Sequence, residues 1–234
     1  MLAPPDVSGR PLDLAVLDRE VVECVACPRL VAWREQVAEE KRAAFRHETY
    51  WGRPIPGFGD PGARIVIVGL APSAHGGNRT GRMFTGDRSG DFLYAALHRA
   101  GLASQPSSVA RGDGLSLTDV RITAPVRCAP PANKPLPQEL ARCSAWFASE
   151  LALLPERRVT LALGRIGHDA FLRFLGVRPS SMGFAHGAAH ALPDGTWLLD
   201  SYHVSQQNTQ TGRLTPAMFD EVLARALELA GRAA

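Results

Sequence analysis

The distribution of apolar segments predicts an α/β fold: a three-layer α/β/α sandwich around a central four-stranded, mainly parallel sheet. Three observations carry this. Apolar runs of strand length alternate with longer stretches of helical period, the mark of βα units. Those runs are nearly continuous in Val, Ile and Leu, as strands covered on both faces are. The 234 residues are 45% hydrophobic and 21% charged, enough to build a sizeable core and to exclude fibrous or wholly disordered classes.

The four strands are expected at 64–70, 120–126, 158–163 and 196–201, and helices at 14–24, 30–46, 92–99, 137–153, 166–175 and 216–232. Thr215 ahead of Pro216 reads as an N-cap followed by a first-turn proline, Asp91 as the N-cap of the 92–99 helix, and Gly101 and Gly176 as helix closures. Gly183, Gly187 and the turn Pro193-Asp194-Gly195 interrupt short apolar pieces, which predicts a hairpin leading into the last strand. No internal repeat or long low-complexity linker divides the chain, so residues 1–234 are read as one domain. The longest apolar runs fall far below the roughly 20 residues of a membrane span. The opening Met1-Leu2-Ala3-Pro4-Pro5-Asp6 has no basic or apolar leader region. The expectation is a cytoplasmic protein with no membrane partner.

Net charge is +3, yet of 26 basic residues only Lys41 and Lys134 are lysines. Guanidinium forks suit phosphate oxygens, although Arg157, Arg158 and Arg173 read as ordinary solvated surface, and charge alone does not establish nucleic-acid binding. In a parallel α/β sheet, ligands bind at the carboxyl ends of the strands. There the segment 69–90 carries six glycines, and the polar loops 127–135 and 202–213 follow two other strands. All three are expected to meet at one sheet edge.

Four cysteines fall into two pairs, Cys24 with Cys27, and Cys128 with Cys143. In a reducing compartment this is the arithmetic of a four-thiolate metal site with a structural role. Zinc and a [4Fe-4S] cluster both accept such a set, and spacing does not separate them. Four unrelated small buried cysteines are the plain alternative.

Read together, Cys24-x2-Cys27-Pro28-Arg29-Leu30, Gly69-Leu70-Ala71-Pro72, Gly81-Arg82-Met83-Phe84-Thr85-Gly86-Asp87, the segment 126–135, Cys143 and His203-Val204-Ser205-x2-Asn208 resemble the uracil-DNA glycosylase superfamily, and within it the type b, or family 5, enzymes. The resemblance spans nearly the whole chain. It implies a [4Fe-4S] cluster on Cys24, Cys27, Cys128 and Cys143. It also implies monofunctional excision, in base excision repair, of uracil and other deaminated bases (hypoxanthine, xanthine, ethenocytosine) flipped out of double-stranded DNA. A monomer is expected, because a DNA-facing edge must stay open.

On this resemblance Asp87 is the carboxylate that activates water or stabilises the sugar cation, although an Asp between two glycines is also a common turn residue. His203 donates to the base oxygen where charge develops. Phe84 stacks on the extruded base. Asn133 and Asn208 either touch base and water or fix the loops. Ala71 stands where classical members carry an Asp or Asn that directs water, and Ala124 (or its neighbour) where they carry an Asn that reads the uracil edge, which implies a roomier pocket. Gly76, Gly77, Gly81, Gly86, Arg79, Arg82, Arg88 and Arg213 are expected at DNA phosphates, and Gln206, Gln207 and 209–214 as a wedge in the vacated stack. Two other readings of the same residues are a glycosylase/lyase using Lys134 as the attacking amine, and a metal-stapled nucleic-acid binding module without chemistry, which would need neither Asp87 nor His203. A nucleotide-phosphate loop is excluded, since neither G-x-G-x-x-G nor G-x4-G-K-[ST] follows the first strand.

Overall fold

The computed structural model describes residues 13–231; the readings made on Met1–Asp6 and on Arg232 lie outside the described residues. Among the described residues eight α-helices run in order as α1 (Leu14–Val22), α2 (Pro28–Glu40), α3 (Gly77–Thr80), α4 (Arg88–Arg99), α5 (Pro137–Ala152), α6 (Arg165–Phe174), α7 (Gln206–Gln210) and α8 (Pro216–Leu229). The strands are β1 (Phe58–Gly59), β2 (Ile65–Val68), β3 (Val120–Thr123), β4 (Val159–Leu163), β5 (Ala189–Ala191) and β6 (Trp197–Ser201).

The sheet order is β1-β3-β2-β4-β6-β5. The four expected strands form its parallel centre, in register Ile65 to Val120, Ile65 to Val159 and Val159 to Trp197. The sheet is wider than four strands because β1 and β5 add antiparallel edges. Strand β1 has two residues, too few to show a period, whereas β5 is the expected hairpin partner of β6. Every residue of β2, β3 and β4 is buried. The period of two divides β2 between the layers: Ile65 and Ile67 pack with Leu93 and Leu97 of α4 and Phe219 of α8, while Val66 and Val68 pack with Leu17 of α1, Trp146 of α5 and Phe171 of α6.

Helix α4 begins four residues before the expected 92–99 helix, because Asp87 rather than Asp91 is its N-cap, its Oδ1 accepting the Gly90 N–H at 3.0 Å. Gly90 permits this turn: a Cβ there would lie 1.8 Å from the Phe84 carbonyl oxygen. Helix α2 stops at Glu40, and Lys41 takes a left-handed φ of 55°. Thr215 caps α8 as expected, accepting from Met218 N at 3.3 Å. Arg157 is not ordinary surface. Its guanidinium lies over the Phe171 ring and donates to Thr160 and Thr196.

Helix α5 is locked to the sheet by a buried charge network. Glu150 pairs with Arg127 and Arg121 and accepts from Thr123, and Arg121 reaches Asp18 of α1 at 2.9 Å. Burial opposes charge on Glu150, but these cations and hydrogen bonds hold its carboxyl down to about 2. None of the helices among the described residues is long and apolar enough to cross a membrane.

Candidate active site

At the carboxyl ends of β2, β3 and β6 lies a pocket of about 380 Å3, lined by Ala71, Pro72 and Ser73, by Met83, Phe84 and Asp87, by Ala124, Ala132 and Asn133, and by His203, Ser205 and Gln207. The three polar loops expected to meet therefore do meet, and six of the residues given catalytic or base-binding roles from the sequence share one cavity of small-ligand size.

Backbone geometry seats the aromatic wall. Phe84 adopts φ 50°, and its ring lies against Gly69, where a Cβ would come within 2.9 Å of Cζ. The Met83 carbonyl just before it accepts from Tyr94 Oη at 2.8 Å. Ala132 and Asn133 are also left-handed, at φ 52° and 54°. Such non-glycine strain gathers where a site must be pre-shaped.

Asp87 does two jobs. One oxygen caps α4, and the other accepts the Ser73 hydroxyl, so the carboxylate is fixed in the pocket wall with lone pairs to spare. His203 stands 6.1 Å from Phe84, ring centre to ring centre. Burial lowers its pKa to about 4, with Asp87 opposing weakly, so the imidazole is neutral near pH 7 and can serve as an uncharged donor. Its backbone is tied from behind: Asn208 Nδ2 donates to the His203 carbonyl at 2.8 Å. Asn208 is thus a loop brace outside the pocket lining, while Asn133 lines the rim. Ser73, Met83 and Gln207 are pocket residues without an assigned pocket role in the sequence reading; Ser73, two residues beyond Ala71 in a strand-end loop, was the most legible of them.

The expected phosphate set is corrected by burial. Arg82 is 5% exposed, pairs with Asp113 at 2.6 Å and donates to Ser108 and Thr85, so it is a packing residue rather than a DNA contact. Asp113 is held well below the usual carboxylate range by Arg82 and by backbone amides. Arg79 is likewise buried, paired with Glu48 and stacked on Phe45. Gly76 and Gly77 are buried, Gly76 against the Asp87 carboxylate and Gly77 against Ile55 and Pro72, so their role is close packing. Arg88 and Arg213 are exposed, the latter stacked on Tyr202 at 4.6 Å. Lys134 is exposed and outside the pocket lining.

A second, apolar cavity is lined by all four cysteines together with Leu30, Val31, Val126, Arg127, Arg142 and Trp146. Cys24 and Cys27 are half-buried and Cys128 and Cys143 buried. Burial pushes the Cys128 thiol up to about 11 and Cys143 to about 12, so a metal must displace their protons. Arg34 Nη1 donates to Cys128 Sγ at 3.1 Å, while Arg34 Nε and Arg127 Nε and Nη1 are buried without a hydrogen-bond partner among the described residues.

The model of the uracil DNA glycosylase superfamily matches residues 56–227, and the chain belongs to that superfamily. Within it the chain is 60% identical, over 92% of its own length and 100% of the relative's, to the type-5 uracil-DNA glycosylase of Thermus thermophilus. It is 53% identical to that of Mycobacterium leprae over 96% and 99% of the two chains, and 46% identical to that of Pyrobaculum aerophilum over 90% and 91%.

Proposed function

We propose that the chain is a monofunctional uracil-DNA glycosylase of base excision repair, hydrolysing the N-glycosidic bond of a uracil extruded from double-stranded DNA. The observation that carries this is the convergence of Phe84, Asp87 and a neutral His203 on one pocket at the sheet edge. An extruded base stacks on Phe84. As the bond to the sugar lengthens, negative charge grows on the base, and His203 answers with a hydrogen bond from a site that needs no reorganisation. The Asp87 carboxylate, oriented by Ser73 and the α4 cap, faces the cationic sugar and holds the attacking water. Arg88 and Arg213 are the exposed cations suited to flanking phosphates, and the exposed side chains of α7 suit the vacated stack.

Ala71 and Ala124 present methyl groups to the pocket where an amide would impose one hydrogen-bonding edge. The reading therefore extends to hypoxanthine, xanthine and ethenocytosine, because a wall without an amide at these two positions levies no penalty there on a base that cannot pair with it. Cys24, Cys27, Cys128 and Cys143 are the ligands proposed for a [4Fe-4S] cluster. The gathering of all four thiols on one cavity supports it, and so do the unpartnered guanidinium N–H groups, which would find acceptors in thiolate and sulfide sulfur. Such a cluster ties the start of α2 to β3 and α5. The four free thiols also suit a reducing cytoplasm, and the open pocket edge suits a monomer.

The test is cleavage of a labelled duplex with a single uracil opposite guanine, with and without hot alkali, beside the same duplex carrying hypoxanthine. Alkali-dependent breaks at both bases are expected. Breaks at uracil alone would overturn the broad pocket, breaks without alkali would restore Lys134 as a lyase amine, and none in iron-loaded protein would leave only the binding-module reading.

A further inference from the structure

Away from both cavities, a cluster of ligand-type side chains joins α6, β5 and β6. His168, His190 and Asp200 each place one donor atom within 4.8 Å of the others. His168 and Asp200 have fully buried side chains, and that of His190 is 20% exposed. His168 Nδ1 lies 2.8 Å from Asp200 Oδ1, and His190 Nε2 lies 3.4 Å from Oδ2.

Two features set the cluster apart from an ordinary buried ion pair. The Nε2 of His168 faces the Met182 carbonyl at 3.0 Å. A carbonyl only accepts, so Nε2 keeps its proton and Nδ1 is the nitrogen presented to the carboxylate, which is how metal-bound histidines are oriented by their outer partners. The Asp200 carboxylate is also bracketed by an imidazole on each oxygen, the two ring centres being 5.8 Å apart, while Phe184 stands edge-on to His168 at 5.7 Å. A buried carboxylate needs a compensating cation. A proton shared with His168 supplies one, and a divalent ion supplies another at the cost of releasing that proton to solvent.

We propose that His168 Nδ1, His190 Nε2 and a carboxylate oxygen of Asp200 form a binding site for a divalent transition metal of the zinc class. Two imidazoles and one carboxylate suit zinc rather than calcium or magnesium, which prefer all-oxygen sets. The partly exposed His190 side gives the ion access, and three protein ligands leave the fourth position of a tetrahedral ion to water. Bound there, the ion would pin the β5–β6 hairpin to α6 three residues ahead of His203. The inference is independent of the glycosylase reading.

The experiment uses iron-loaded protein, exposed to zinc alone, desalted, and assayed for zinc and iron together, with a thermal melt of each sample. About one zinc per chain is expected at unchanged iron, with Tm raised by several degrees, and both effects lost in His190→Gln, whose side chain is exposed enough to change without emptying the core. Asp200→Asn is the second variant and should also lose zinc. Zinc retained by His190→Gln, zinc gained only as iron is lost, which would place it on the thiols, or no zinc retained by the wild type would each overturn the proposal.

Discussion

The base pocket and the thiol cavity share the segment after β3, yet they are built in opposite ways. Ala124, Ala132 and Asn133 face the pocket, while Val126, Arg127 and Cys128 face the cavity. In the pocket, position is set by backbone: left-handed Phe84, Ala132 and Asn133, a glycine under the ring, and a helix cap that doubles as the carboxylate. In the cavity and the network behind it, position is set by buried charge and by the close packing of α2, α5 and the segment after β3 around the four thiols. A side chain seated by backbone can be changed without loss of the fold. One seated by buried charge leaves an uncompensated partner when removed.

The largest effect that would sharpen this contrast is on chemistry. Asp87→Asn and His203→Ala should each slow single-turnover uracil excision by roughly 10²–10⁴-fold. Asn also serves as an N-cap, so the Tm of Asp87→Asn should stay within about 2 °C of wild type; a collapse of Tm there would break the comparison. Next comes Arg82→Met, which strands Asp113 and should cost about 3–5 kcal/mol in denaturant unfolding while leaving the salt dependence of DNA binding as it was. Arg213→Ala should do the reverse, flattening that slope by about one unit at unchanged stability.

Cys143→Ser follows. It should strip iron, measured directly, and lower Tm by about 5–10 °C in parallel; iron loss with an unaltered melt would deny the cavity its structural role. The smallest effect is on acid stability. His203 titrates near 4 when folded against an ordinary 6.5. Between those values the unfolded chain binds the extra proton, so this contribution is complete above pH 6.5 and is lost as pH falls toward 4. It amounts to at most about 3 kcal/mol. His203→Gln should flatten that limb of the stability profile, and an unchanged limb would mean the imidazole is not desolvated.

Much of this was legible in the chain alone. Val-Ile-Leu runs, the Thr215 cap and the Pro193-Asp194-Gly195 turn report local and near-neighbour energetics, so the four parallel strands, the β5–β6 hairpin and α8 could be read from sequence. The motif resemblance likewise brought Phe84, Asp87, Asn133 and His203 together before any geometry was known. Two-residue β1 could not be read, because so short a strand has no period and exists only through its partner β3. The choice of Asp87 over Asp91 as helix cap depended on the close passage of Gly90 over Phe84, a contact between residues that the sequence does not mark as neighbours. Above all, sequence cannot tell a buried arginine from an exposed one. Arg79, Arg82, Arg88 and Arg213 are chemically alike in their loops, and only the tertiary fold, by giving Arg82 to Asp113 and Arg79 to Glu48, left Arg88 and Arg213 facing solvent where DNA can reach them.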